Sequence, residues 1–235
     1  MKAIEESGLQ SQIDAVYGVS VGAIIASYRA SGWTADQIFE QFSNLSTSAL
    51  KWISKKPTKS LLSTSILQSY FTKDLPQTFA ELKKPVFIGA SDINTAKLIL
   101  FHQGPLLKPV LGSIALPGIF ESVKYLEYLL NDGGITNNFP VAEAKTRYPH
   151  HKIIGIDLNK FQFNTNPKNL VSTLITSYDI VMNKDGISKS RQIDISFYED
   201  IHCGLLDIDK KKRKQAFDQG YKSGHKAFQQ TKKSD

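Results

Sequence analysis

The sequence predicts an α/β fold, a mostly parallel sheet covered by helices on both faces. Three observations carry that expectation. Apolar, strand-length runs occur at residues 13–17, 86–90, 98–102, 125–131 and 153–158. Segments with helical spacing of apolar residues separate most of them. Hydrophobic residues make up 41% and charged residues 22% of 235 positions, so disordered and collagen-like classes are excluded. That length fits one core, and a single domain over residues 1–235 is expected.

The elements follow in order. Residues 1–8 (MKAIEESG) read as the end of an amphipathic helix closed by Gly8. Residues 13–17 form a short apolar strand, and residues 21–31 (VGAIIASYRAS) a buried helix with Gly32 just beyond its end. Thr34 and Gln37 have the three-residue spacing of a capping box, and Ile38, Phe39, Phe42 and Leu45 give the helix that follows one apolar face. Residues 51–84 are basic, with Pro57 and Pro76 inside and Pro85 after, and read as short helices with a mobile connection. The strands 86–90 and 98–102 come next, then a helix over 106–113 and a turn at Leu116-Pro117-Gly118. The strand 125–131 runs into Asp132-Gly133-Gly134. Pro140 suits the first turn of a helix through Ala144 and Arg147. A strand at 153–158, a helix at 170–183, an alternating strand at 193–197 and a helix bearing Phe217, Tyr221, Gly224 and Phe228 complete the chain.

Charge and cysteine content narrow the partners. The net charge is +7, and residues 210–214 (KKKRK) are its densest run. That run reads as the solvated start of the last helix, with attraction to anionic lipid head groups as its functional alternative. Nucleic-acid binding is not expected: basic residues are not interleaved with aromatics, and no helix-turn-helix, zinc or RNP pattern occurs. No run approaches the roughly 18–20 apolar residues of a membrane span, so membrane contact is expected to be peripheral. Cys203 stands alone and no signal peptide is visible at Met1, which together point to a cytoplasmic or membrane-peripheral protein.

The chemistry concentrates at two places. Gly18-Val19-Ser20-Val21-Gly22 has the form G-x-S-x-G between a strand and an apolar helix, where a nucleophile elbow belongs. Its glycines allow a sharp turn, and the helix beginning at Val21 offers free N–H groups to an oxyanion. A tight turn with Ser20 as helix cap accounts for the motif equally well. Asp132 tips the balance toward chemistry. It ends a core strand, where ligands bind in open α/β sheets, and a carboxylate in reach of a serine can take its proton. The competing reading of Asp132 is an Asp-Gly turn. His102, His150, His151, His202 and His225 are scattered. The order Ser…Asp…His is available through His202 or His225, but neither has a convincing context, and all five read as structural or surface residues. No metal-ligand spacing occurs.

Taken together, G-V-S-V-G and D-G-G-I-T-N-N-F-P resemble the two halves of the patatin-like phospholipase signature. The stretches 79–85 (FAELKKP), 86–94 (VFIGASDIN), Gly104-Pro105 and 113–120 (SIALPGIF) are similar in order and spacing to that family, and residues 170 to about 228 resemble its bacterial members. The resemblance implies a three-layer α/β/α sandwich with a mostly parallel central sheet. It implies hydrolysis of a phospholipid or other acyl ester by a dyad, with Ser20 as nucleophile and Asp132 as base. Gly18, Val21 and Gly22 would form the elbow and an oxyanion donor, Gly133 and Gly134 would let the backbone pass close to the site, and no metal or organic cofactor would be needed. Family members begin with an apolar strand and a G-G-G-x-R-G turn that supplies oxyanion donors, an element this sequence starts beyond. The expectation is therefore an N-terminally incomplete domain with the first strand missing and an open edge beside residues 13–17. A catalytically impaired remnant that binds acyl lipids or a protein partner is the alternative to a working lipid acyl-hydrolase.

Overall fold

The structure, a computed structural model, describes residues 1–44, 64–157, 170–183, 193–198 and 210–231. The chain divides into two compact units, one of residues 14–33 and 48–140, the other of residues 1–13, 34–47 and 141–235.

The first unit is built on a five-stranded sheet. Strand β1 (Val16–Val19) leads into helix α2 (Val21–Ala30), and α4 (Thr64–Phe71) precedes β2 (Val86–Asp92). Then come β3 (Lys97–Phe101), α5 (Leu107–Ser113), β4 (Val123–Tyr125), β5 (Tyr128–Asp132) and α6 (Gly134–Asn137). All seven residues of β2 are buried, although successive side chains point to opposite faces, so both faces of the sheet are covered there. Helices α2, α5 and α6 pack against it.

The architecture is the α/β one expected, with a sheet that is mixed rather than mostly parallel among the described residues. Strand β1 pairs with β2 in parallel, but β2–β3, β2–β5 and β4–β5 are antiparallel. Connection length decides two of these pairings, β2–β3 and β4–β5. Parallel neighbours need a crossover of a dozen residues or more, whereas four residues join β2 to β3 and two join β4 to β5. The predicted strand 125–131 is itself such a hairpin, turning at Leu126, which has φ 54.

Register explains how distant residues meet. Residues 88 and 89 of β2 pair with β1 and also with β3, so these two lie on opposite edges. Residues 90–92 pair with β3 and β5, which places β5 on the same edge as β1. The pairs Val19↔Gly89 and Ala90↔Asp132 are consecutive, so β1 and β5 meet carboxyl end to carboxyl end along one edge of β2. Strand β1 is terminal in the sheet order, with no strand on its other edge among the described residues.

In the second unit, α1 (Lys2–Glu6) packs on the final helix α9 (Lys210–Thr231) through Ala3, Ile4 and Phe228. Helix α3 (Ala35–Asn44) starts at the predicted capping box, with Thr34 and Gln37 bonded reciprocally. Also present are α7 (Val141–Arg147), α8 (Leu170–Asn183) and the parallel pair β6 (Ile154–Asp157) and β7 (Ile195–Tyr198). Of the run 210–214, the four lysines are exposed, while Arg213 is half-buried and donates to the Phe42 carbonyl at 2.6 Å. No helix among the described residues is long and apolar enough to cross a membrane. His202, Cys203 and residues 51–63 lie outside the described residues.

Candidate active site

The two strand ends that face each other carry the two singled-out side chains. Strand β1 ends at Val19 and α2 starts at Val21, so Ser20 alone makes the turn. It does so at φ 55 and ψ −130, a conformation that L residues avoid and that persists only when its surroundings enforce it. The sequence reading put the freedom of this turn on the flanking glycines. In the structure the positive φ falls on Ser20 itself, and neither Gly18 nor Gly22 has one.

The glycines differ in what they do. A Cβ on Gly18 would overlap the Gly22 carbonyl and stand 2.7 Å from Ala23 Cα, so Gly18 lets α2 fold back against β1. A Cβ on Gly22 would meet nothing within 4 Å.

Ser20 Oγ donates to Asp132 Oδ2 at 2.7 Å. Ser20 occupies the N-cap position of α2, with its carbonyl accepting the Ala23 N–H at 2.9 Å, but its hydroxyl makes no capping bond. Asp132 is 2% exposed at the end of β5. Its second oxygen, Oδ1, accepts the Gly134 N–H at 2.9 Å, so the local Asp-Gly turn and the long-range contact coexist, one on each oxygen. With Oδ2 accepting the Ser20 hydroxyl, the carboxylate is within reach of that proton. At the first position of α2 the Val21 N–H has no acceptor within its own helix, at the positive end of the helix dipole.

Buried polar residues hold Asp132 in place. Its N–H donates to Ala115 O at 3.0 Å and the Gly133 N–H to Ser113 O at 3.3 Å. Ser91 Oγ donates to Asp132 O at 2.8 Å and contacts Thr136 Oγ1 at 2.8 Å. Gly133 is required by closeness: a Cβ there would overlap Gly89 O and come within 2.8 Å of Val19 Cγ1. Sequence reading passed over Ser91, Ser113 and Gly89. Their signal was present, since a serine inside an apolar strand or helix end must find an internal partner.

Nearer the start of β5, Asp92 at the end of β2 is 1% exposed and accepts from Thr95 Oγ1 at 2.7 Å and Leu129 N–H at 3.0 Å. The Thr95 hydroxyl is the main cause of a carboxyl held below its ordinary value of 3.8; burial opposes the shift.

Three of the described histidines are engaged elsewhere. His102 packs on the Phe87 ring with centroids 5.2 Å apart, His151 on Tyr148, and His225 bonds Glu6 at 2.9 Å. Among the described residues no group of three or more His, Cys, Asp or Glu side chains is placed to hold a metal ion.

A family model described as Patatin-like phospholipase matches residues 1–145. An uncharacterized protein of Acanthamoeba polyphaga mimivirus is 25% identical over 245 residues, which cover 91% of this chain and 82% of that protein. An NTE family protein of Mycobacterium tuberculosis is 27% identical over 149 residues, 60% of this chain and 39% of its own length. The neuropathy target esterase of Drosophila melanogaster is 27% identical over 166 residues, 67% of this chain but only 11% of that protein. The chain thus spans well under half of the mycobacterial and fly relatives.

Proposed function

The chain belongs to the patatin-like phospholipase family, and on that premise we propose that it hydrolyses lipid acyl esters with Ser20 as nucleophile and Asp132 as its base. The observation that carries the proposal is the direct 2.7 Å hydrogen bond from Ser20 Oγ to Asp132 Oδ2. As Ser20 Oγ bonds to the acyl carbon, its proton passes to Asp132 and the carbonyl becomes an oxyanion. The oxyanion forms beside the N-terminus of α2, where the Val21 N–H can donate to it. Collapse breaks the ester bond, and the departing alcohol or lysolipid takes the proton from Asp132. Water then attacks the acyl-enzyme with Asp132 again as base, releasing fatty acid and restoring Ser20.

In this reading the chain acts as one acyl-hydrolase domain, with Gly18 and Gly22 flanking the elbow and Gly133 and Gly134 carrying the backbone past it. The exposed lysines of α9 supply attraction to an anionic membrane surface, worth about 1 kcal/mol each near such a surface.

The test is labelling by a fluorophosphonate probe together with hydrolysis of a short p-nitrophenyl ester. The wild-type chain is expected to label at Ser20 and Ser20→Ala not at all. Asp132→Asn should lower turnover about 10²- to 10⁴-fold, the usual contribution of a general base. Labelling that persists in Ser20→Ala overturns the nucleophile assignment. A wild-type chain that binds fatty acyl chains yet neither labels nor turns over supports the impaired, lipid-binding alternative.

A further inference from the structure

Ser20 sits in a conformation it would not choose, and Ser113 is the residue best placed to hold it there. Ser113 closes α5, is 0% exposed, and lies 93 residues along the chain from Ser20. Its Oγ accepts the Ser20 N–H at 2.8 Å and donates to Gly89 O at 2.6 Å. The direction of both bonds is set by chemistry. A backbone N–H can only donate and a carbonyl can only accept, so the Ser113 proton belongs to Gly89 and its lone pair to Ser20. Meanwhile the Ser113 carbonyl accepts the Gly133 N–H at 3.3 Å, one residue beyond Asp132. One buried residue therefore touches the backbone of the elbow, the acid turn and the strand that pairs with both.

Resting on the catalytic reading above, we propose that Ser113 is a positioning residue: its hydroxyl pins the Ser20 amide in the strained elbow and thereby sets the Ser20–Asp132 hydrogen bond. The geometry has a second consequence. Because the Ser20 N–H is engaged by Ser113, it is not a donor to the oxyanion, and Val21 is the first amide of the elbow able to serve.

Removing the hydroxyl in Ser113→Ala leaves the Ser20 N–H and Gly89 O without this partner, and the elbow loses the bond that opposes relaxation of φ. Crystal structures of the wild-type and Ser113→Ala chains are the first readout. Ser20 φ is expected to leave the positive region and the Oγ–Oδ2 separation to exceed hydrogen-bond distance. The second readout is the fluorophosphonate labelling rate, with kcat and KM for a short p-nitrophenyl ester. Labelling and kcat should fall about 10- to 100-fold, the scale on which small misplacements act, with KM within about twofold. The control is Ser27→Ala, which removes another fully buried hydroxyl, one that donates to Ala23 O at 2.8 Å in the body of α2. Ser27→Ala should lower the unfolding midpoint comparably and leave labelling within about twofold. An unchanged Ser20 φ and Oγ–Oδ2 distance in Ser113→Ala overturns the proposal, as does a labelling loss that Ser27→Ala reproduces. A wild-type chain that never labels overturns the catalytic reading instead, and the two crystal structures still decide the role of Ser113.

Discussion

The elbow at residues 18–22 and the acid turn at residues 132–134 present their side chains to each other by different means. In the elbow the strain is carried by Ser20, a residue with a side chain, at φ 55. In the acid turn the backbone is relaxed, with Gly133 at φ −63 and ψ −24. Both turns contain a glycine that close packing demands: Gly18 lies under the Gly22 carbonyl and Gly133 over the Gly89 carbonyl. Glycine serves here by letting backbones approach, and of the two turns only the elbow, at Ser20, stores conformational strain. Held that way, the Ser20 hydroxyl makes no bond to the helix it precedes and reaches Asp132 instead.

The largest effect should come from filling the two close approaches. Gly133→Ala and Gly18→Ala each drive a Cβ into backbone, which cannot rotate away as a flexible side chain would. Overpacking of this kind costs about 1–3 kcal/mol, and backbone contact puts both at the upper end. Chemical denaturation should show both variants strongly destabilised. If either is as stable as wild type, close approach is not why that glycine is there.

An intermediate effect tests the support of the acid side. Asp92 has a carboxyl pKa below its ordinary 3.8, so the folded state binds its proton less readily than the unfolded chain does. Its contribution to stability is therefore present above about pH 4 and lost as pH falls through the folded value. Asp92→Asn should lower stability at pH 7 and flatten the decline between about pH 5 and 3. An unchanged pH profile in that variant would show that the carboxylate does not hold β5 through Leu129.

The smallest effect belongs to Gly22. With open space where its Cβ would be, Gly22→Ala should be neutral or stabilising by up to about 1 kcal/mol, through helix propensity and a less mobile unfolded chain. A clear loss of stability would show that the two glycines of the motif are equivalent after all, and the comparison between them would collapse.

Much was determined by the sequence alone, because it depends on local chemistry. Val21–Ala30 forms a helix directly after a strand, Gly8 and Gly32 end their helices at φ 78 and φ 99, and Thr34 with Gln37 makes the capping box, each within a few residues. The pairing of G-x-S-x-G with D-G-G also named Ser20 and Asp132 as the residues to watch. Tertiary structure alone decided how they meet. Two of the antiparallel pairings follow from short connections, and the run 125–131 hides a hairpin because its turn, Leu126-Glu127, carries no glycine or proline to mark it. The end-to-end meeting of β1 and β5 on one edge of β2 depends on register across more than a hundred residues, which no local pattern encodes. Ser113 was beyond reach for the same reason. A buried serine declares that it needs a partner, but only the packing of α5 against β2 and β5 determines that the partner is the amide of Ser20.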